Sequence, residues 1–222
     1  MRYEKNLGTL TAVEQELLSG RRICVVGCGA LGGYCLEQLA RLGVGNLTAI
    51  DGDTFEPTNL NRQLLALEKN IGQSKAEAAA ERLQKVNSQI KVNTISAWLT
   101  ADNAAELLRG HDIIIDASGD ISTRRVMISA CADLGIPLVI GTISGWNAQV
   151  MMLEPGSRAY DSICPPDTEP PEPNGNPVFT AAICASIQVA EAVKILCGRG
   201  DVLKNCVLCA DFLWHEYQVI RL

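Results

Sequence analysis

Short apolar runs alternate along this chain with longer segments whose apolar residues recur every three or four positions. Ile23-Cys24-Val25-Val26 is the first run; Leu47–Ile50, Asp112–Asp116 and Pro137–Ile140 repeat it, and Ile90–Ile95, with polar residues between its apolar ones, is a further expected strand. Such runs suit the inner strands of a parallel sheet, which are covered on both faces. Between them, Leu31, Cys35, Leu39 and Leu42 fall on one face of a helix over Leu31–Leu42, closed by Gly43 and Gly45. Thr11 is placed to cap a short helix over Ala12–Leu18, and Thr100 one over Ala101–Leu108. Ser74-Lys75-Ala76-Glu77 reads as a capping box opening a helix to Val86, and a further helix is expected over Ile121–Leu134. This alternation predicts an α/β, doubly wound, mostly parallel sheet. Asp51 and Asp116 each end a strand, so both are expected in the crevice at the carboxyl ends.

The pattern changes after Trp146–Leu153, a further predicted strand. Seven of the nine prolines lie between Pro155 and Pro177, so residues 154–177 read as a crossing loop, neither helix nor central strand. Val178–Cys197 then reads as a long helix, too apolar for a solvated surface, stopped by Gly198. Val207–Asp211 and His215–Arg221 read as closing strands, antiparallel to their neighbours. With no repeat and no linker, residues 1–222 are read as a single domain, with residues 1–20 as an N-terminal segment.

Composition narrows the class. A net charge of −6 argues against nucleic acid as a partner through a basic surface. No run is read as approaching the roughly 18 apolar residues of a membrane span, and the N-terminus lacks a signal-peptide pattern, so a soluble cytoplasmic protein is expected. Most of the nine cysteines sit in apolar runs, as reduced thiols do.

The candidate chemistry begins at Gly27-Cys28-Gly29-Ala30-Leu31-Gly32. Glycines at this spacing, between a strand and a helix, let the backbone turn tightly and approach a phosphate at the helix N-terminus. A carboxylate about 20 residues on is expected to meet a ribose, and Asp51 stands there. Residues 51–73 form a polar link of a length that is usually functional. It carries Asp51-Gly52-Asp53 and Asn59-Leu60-Asn61-Arg62-Gln63, and Lys75 follows twelve residues after Gln63.

In this order and spacing, these motifs resemble the ThiF/MoeB/HesA family, the bacterial relatives of ubiquitin-activating enzymes. The resemblance runs from Arg2-Tyr3 to the C-terminal strands. It implies a Rossmann-like fold that uses ATP rather than NAD. The implied activity is adenylation of the C-terminal carboxylate of a ubiquitin-like sulfur-carrier protein of ThiS or MoaD type, ending in Gly-Gly. It also implies residue roles. Gly27, Gly29 and Ala30 approach the nucleotide, and Asp51 takes the ribose hydroxyls. Asn59, Arg62 and Lys75 contact the phosphates, Asn61 is a further nucleotide-binding candidate, and Asp116 holds Mg²⁺. Arg62, Lys75 and Asp116 are the catalytic set. Asp53 and Gln63 are read as either binding or structural.

Several positions depart from the family pattern. Asp161-Ser162-Ile163-Cys164 stands where members carry a zinc-binding Cys-x-x-Cys. Cys206 and Cys209 lie in one strand with side chains on opposite faces, so no structural zinc is expected. The crossing loop from Pro165 to Pro177 has no cysteine. Gly175 and Pro171 stand near where the family's nucleophile falls, and Cys184 reads as packing in the apolar helix. Adenylation without a thioester to this protein is therefore expected. The N-terminal arginine that the family lends to a partner subunit is Lys5 here, with Arg2 as the other candidate, and a homodimer is the implied assembly. After the fourth strand the chain reads Asp116-Ala117-Ser118-Gly119-Asp120. The family's second acid is missing, and Asp120 is the candidate to stand in. Two other readings remain: an ATP-dependent dehydratase acting on tRNA threonylcarbamoyladenosine, and a non-catalytic nucleotide-binding scaffold. A dehydrogenase ranks last, because neither His111 nor His215 is placed for catalysis.

Overall fold

The computed structural model describes residues 2–166, 168 and 175–222. Its strands are β1 (Arg22–Val26), β2 (Asn46–Ile50), β3 (Lys91–Ile95), β4 (Ile113–Asp116), β5 (Leu138–Ser144), β6 (Asn147–Leu153), β7 (Cys206–Asp211) and β8 (Glu216–Arg221). They form one sheet in the order β3-β2-β1-β4-β5-β6-β7-β8. The first five pair in parallel and the last three antiparallel, as the sequence pattern predicts. The helices are α1 (Ala12–Gly20), α2 (Ala30–Leu42), α3 (Lys75–Val86), α4 (Ala104–Leu108), α5 (Ile121–Leu134), α6 (Ala159–Ile163) and α7 (Val178–Cys197).

Alternation along β1 explains the two cores. Ile23 and Val25 join Leu39, Leu83 and Val189 on the face covered by α2, α3 and α7. Cys24 and Val26 join Leu108 and Met127 on the face covered by α4 and α5. Strand order reverses between β1 and β4, which leaves a crevice at their carboxyl ends. Thr11 and Glu14 close a full capping box on α1, and Gly43 ends α2 in the left-handed conformation.

Three expectations change. The fourth helix starts at Ala104, not Ala101; the Asn103 side chain takes the Thr100 amide, and residues 101–103 form a turn. At α3 only half of the capping box forms, with Ser74 Oγ accepting from the Glu77 amide at 3.4 Å. The crossing segment contains α6, because no proline lies between Pro155 and Pro165 to prevent it. Of its other prolines, those at 170, 171 and 173 lie outside the described residues.

The 20 residues of α7, with mean hydropathy 1.6, do reach the length and composition of a membrane span, contrary to expectation. The helix nevertheless packs on α2, β5 and β6. Its buried polar groups find protein partners: Gln188 Nε2 donates to the Asp116 carbonyl at 2.8 Å, and Glu191 accepts from the Leu203 amide at 2.8 Å. That is the chemistry of a core helix.

Candidate active site

The β1–α2 turn is built from two steric necessities. Gly27 has φ +94°, and a side chain there would strike the Ala117 carbonyl; one at Gly32 would overlap the Gly27 carbonyl. Gly29 is different. It is the N-cap of α2, no side chain caps the helix there, and the nearest foreign atom to an added Cβ is the Gln63 amide at 3.4 Å. The first N–H groups of α2, from Ala30 onward, therefore open onto a cavity of about 700 Å³.

Asp51 follows β2 and ties the turn to the next loop. Its Oδ2 accepts from the Cys28 amide at 2.6 Å, and its Oδ1 from the Asp53 amide at 2.8 Å. Burial pushes its carboxyl above the ordinary value, against those two amides and the Lys75 charge. Asp53 Oδ2 accepts from Lys75 Nζ at 2.5 Å. Burial raises the Asp53 carboxyl, but the Lys75 hydrogen bond and the Thr54 amide outweigh it and hold it low. In this pair Lys75 is the hidden partner, its side chain 8% exposed against 42% for Asp53. A lysine that reads as solvated by helix position alone is thus a buried ammonium at the cavity wall.

Arg62 reaches the same cavity, held by the Thr58 carbonyl at 2.9 Å and Asn61 Oδ1 at 2.8 Å. Gln63 is buried against Gly29, and its Oε1 has no hydrogen-bond partner among the described residues. Gly27, Gly29, Ala30, Asp51, Asp53, Arg62, Gln63 and Lys75 all line the one cavity.

Other expected residues lie elsewhere. Asn59 is buried outside the cavity lining. Its Oδ1 takes the Glu56 amide at 3.1 Å, and its carbonyl takes the Arg62 and Gln63 amides. It shapes the loop that presents Arg62 and Gln63. Asn61 lines an adjoining depression of about 620 Å³ and donates to the Asn176 carbonyl at 3.4 Å. Arg2 donates to the Val86 carbonyl at 2.8 Å, and Lys5 sits on the turn Glu4–Asn6; neither lines this chain's own cavity.

Asp116 needs the largest correction. It is fully buried and absent from the cavity lining. Its Oδ2 is ion-paired with Arg124 Nε, and its Oδ1 accepts from the Ser118 amide at 2.9 Å and Ser118 Oγ at 2.8 Å. Both oxygens are engaged by protein donors and the residue is not part of the cavity lining, so this arrangement gives no support to the expected Mg²⁺ role. The partner that a charge at the end of so apolar a strand requires is a guanidinium. Burial would lower the Arg124 pKa, but Asp116 and Tyr160 raise it, so the guanidinium stays charged. Of the two acids that follow β4's apolar run, the one that lines the cavity is Asp120, which caps α5 through the Thr123 amide at 2.7 Å. Arg124 and Tyr160, whose hydroxyl accepts from Arg124 at 3.2 Å, are cavity residues that sequence reasoning missed. Arg124 lies in a helix of weak amphipathicity, and nothing in its spacing marks it.

The cysteines do not converge. Cys206 packs with one core and Cys209 with the other, on opposite faces of β7 as expected. Cys164 borders the cavity, buried beside the Arg125 guanidinium. Among the described residues no three His, Cys, Asp or Glu side chains gather to hold a metal ion. Cys184 is buried in α7 against the Thr142 and Gln149 carbonyls, and burial pushes its thiol up to about 12, so it is a packing residue. Gly175 is described, whereas Pro171 lies outside the described residues.

A family model described as the ThiF family matches residues 3–222. A sulfur carrier protein adenylyltransferase from Thermus thermophilus is 36% identical over 218 residues, covering 92% of this chain and 79% of the relative. The SAMP-activating enzyme E1 of Haloferax volcanii is 32% identical over 219 residues, covering 93% and 78%. Among solved structures, an E. coli tRNA N6-threonylcarbamoyladenosine dehydratase in complex with ATP superposes with a TM-score of 0.76 at 25% identity, covering 89% of this chain and 94% of that one.

Proposed function

The chain belongs to the ThiF family and is an adenylyltransferase, and on that premise we propose that it activates the C-terminal carboxylate of a ubiquitin-like sulfur-carrier protein with ATP. The carboxylate oxygen attacks the α-phosphorus, the bond to the bridging oxygen breaks, and pyrophosphate leaves; the product is an acyl-adenylate. No protein nucleophile takes part. Both reactants are anions, so the protein's work is to hold them in line and to neutralise charge. Lys75, Arg62 and the N-terminus of α2 supply positive potential to the phosphates, and Asp51 receives the ribose hydroxyls.

The observation that carries this reading is the buried Lys75 ammonium beside Asp53, in the same cavity as the glycine turn and Arg62. A dinucleotide dehydrogenase has no use for that set, whereas transfer of an adenylyl group needs it. The test is carrier-dependent exchange of pyrophosphate into ATP. Exchange with a Gly-Gly-ending carrier, abolished in Lys75→Met, is the expected result. Absence of exchange with every carrier encoded beside this gene refutes it. The dehydratase reading has its own arm: AMP release stimulated by modified tRNA and not by any carrier. The T. thermophilus carrier adenylyltransferase, at 36% identity against 25% for the dehydratase, favours the carrier.

A homodimer in which Lys5 reaches the partner subunit's phosphate site belongs to the same proposal. Sedimentation at working concentration is expected to give a dimer; a monomer with full activity removes the cross-subunit role.

A further inference from the structure

We infer that Trp98 is the base-recognition residue of this site, its indole forming the platform on which the nucleobase stacks. The inference rests on reading the cavity as an ATP site and adds the residue that holds the base end.

Sheet order supplies the first step. β1, β2 and β3 lie side by side, with Val26 level with Ile50 and Ile50 level with Ile95. The segments that leave these three strands are therefore laid out in a line, at a spacing of about 4.8 Å per strand. The glycine turn leaves β1, Asp51 leaves β2, and Ala97-Trp98-Leu99 lies just beyond β3. A nucleotide with its phosphates at the turn and its ribose at Asp51 has its base over the end of β3. All three residues of that segment line the cavity.

The second step is the attitude of the ring. A Cβ built on Gly52 would lie 2.7, 2.7 and 2.8 Å from Trp98 Cδ2, Cγ and Cδ1. Near-equal distances to three neighbouring ring atoms put that point over the face of the indole, not at its edge. One face thus lies flat on the Gly52 α-carbon, which only glycine permits. Trp98 is nevertheless 65% exposed, so the other face is open. The backbone beneath it is held: the Trp98 carbonyl accepts from Asn103 Nδ2 at 3.0 Å. An indole backed on one side, open on the other, and placed where the base falls has the geometry of a stacking platform.

Stacking on an aromatic face is tolerant of base identity, so Trp98 supplies affinity for the base end, not choice between adenine and guanine. The tests use the intact chain. Trp98→Ala is expected to weaken ATP binding by roughly tenfold or more. Trp98→Phe should restore most of it, and neither change should affect binding of inorganic tripolyphosphate, which has no base. In the double variant Trp146→Phe/Trp214→Phe, Trp98 is the remaining tryptophan, and its emission should be quenched by ATP and not by tripolyphosphate. Unchanged ATP affinity in Trp98→Ala overturns the inference. Equal weakening of tripolyphosphate also overturns it, since the ring would then only shape the site. An altered dependence on carrier concentration with ATP affinity unchanged makes the ring a protein contact, and likewise overturns it. ATP that binds and quenches Trp98 without carrier-dependent exchange supports this inference while removing the carrier reading.

Discussion

Lys75 and Asp53 form an asymmetric pair, and the asymmetry separates a stability role from a chemical one. Lys75→Met keeps the apolar stem and deletes the charge. It leaves behind a carboxylate that is 42% exposed and readily hydrated. Half-solvated pairs are worth about 0–1 kcal/mol, so the variant should lose about 1 kcal/mol or less. Asp53→Asn does the opposite: it strands an ammonium whose side chain is only 8% exposed. Breaking a fully buried pair costs about 3–5 kcal/mol, and partial hydration of Asp53 reduces that here to about 2 kcal/mol. Activity should take the reverse order. A donor aimed at charge that develops in the transition state is worth about 10²–10³ in kcat. Lys75→Met should therefore lose about a hundredfold or more in pyrophosphate exchange, while Asp53→Asn, which keeps the ammonium itself, loses less. Urea denaturation and exchange kinetics on the two variants read both quantities. Saturating ATP should recover stability in Asp53→Asn, because bound phosphate gives the stranded charge a partner. The reasoning fails if Lys75→Met is the less stable variant, or if its exchange rate is undiminished.

The same geometry sets other outcomes. Gly32→Ala should destabilise the fold by about 3 kcal/mol or more, since its Cβ has no space beside the Gly27 carbonyl. Gly29→Ala should keep its melting temperature and lose ATP affinity, because the new methyl group faces the cavity; thermal melts and ATP titration compare the two. Asp51→Asn should bind ATP and 2′,3′-dideoxy-ATP equally, where the parent prefers the ribose hydroxyls; equal preference in the parent removes the ribose role. Glu37 of α2 pairs with Arg41 one turn along its own helix and with Arg82 of α3. Burial raises its carboxyl, but the two guanidiniums outweigh that and hold it below its ordinary value of 4.5. Its contribution to stability is then complete above that value and lost as pH falls through the lower, folded one. Glu37→Gln should cost more stability at pH 7 than at pH 3, read from urea midpoints; an equal cost at both excludes the ion-pair account.

Sequence by itself determined the architecture, because the signals for it are local. A four-residue apolar run between turn residues has the length and pattern of an inner strand, and a glycine at Gly43 or Gly198 ends a helix whatever surrounds it. The glycine turn and Asp51 were legible for the same reason, their geometry being fixed within one strand–turn–helix unit. Prolines misled across the crossing segment, since each restricts itself and its immediate neighbour and leaves Ala159–Ile163 free to coil. Tertiary structure decided which charges are buried and against what. Lys75 opens α3 and would be solvated there, but the segment from Asp51 to Ser74 folds over it and brings Asp53 to its ammonium. The chain shows Asp116 as an acid in need of a partner; the turn from β4 into α5 makes that partner Arg124, and removes the carboxylate from the cavity. Trp98 reads as one more loop residue until β3 sets it beside Gly52. Burial and pairing are properties of space between distant segments, and no local pattern in the chain encodes them.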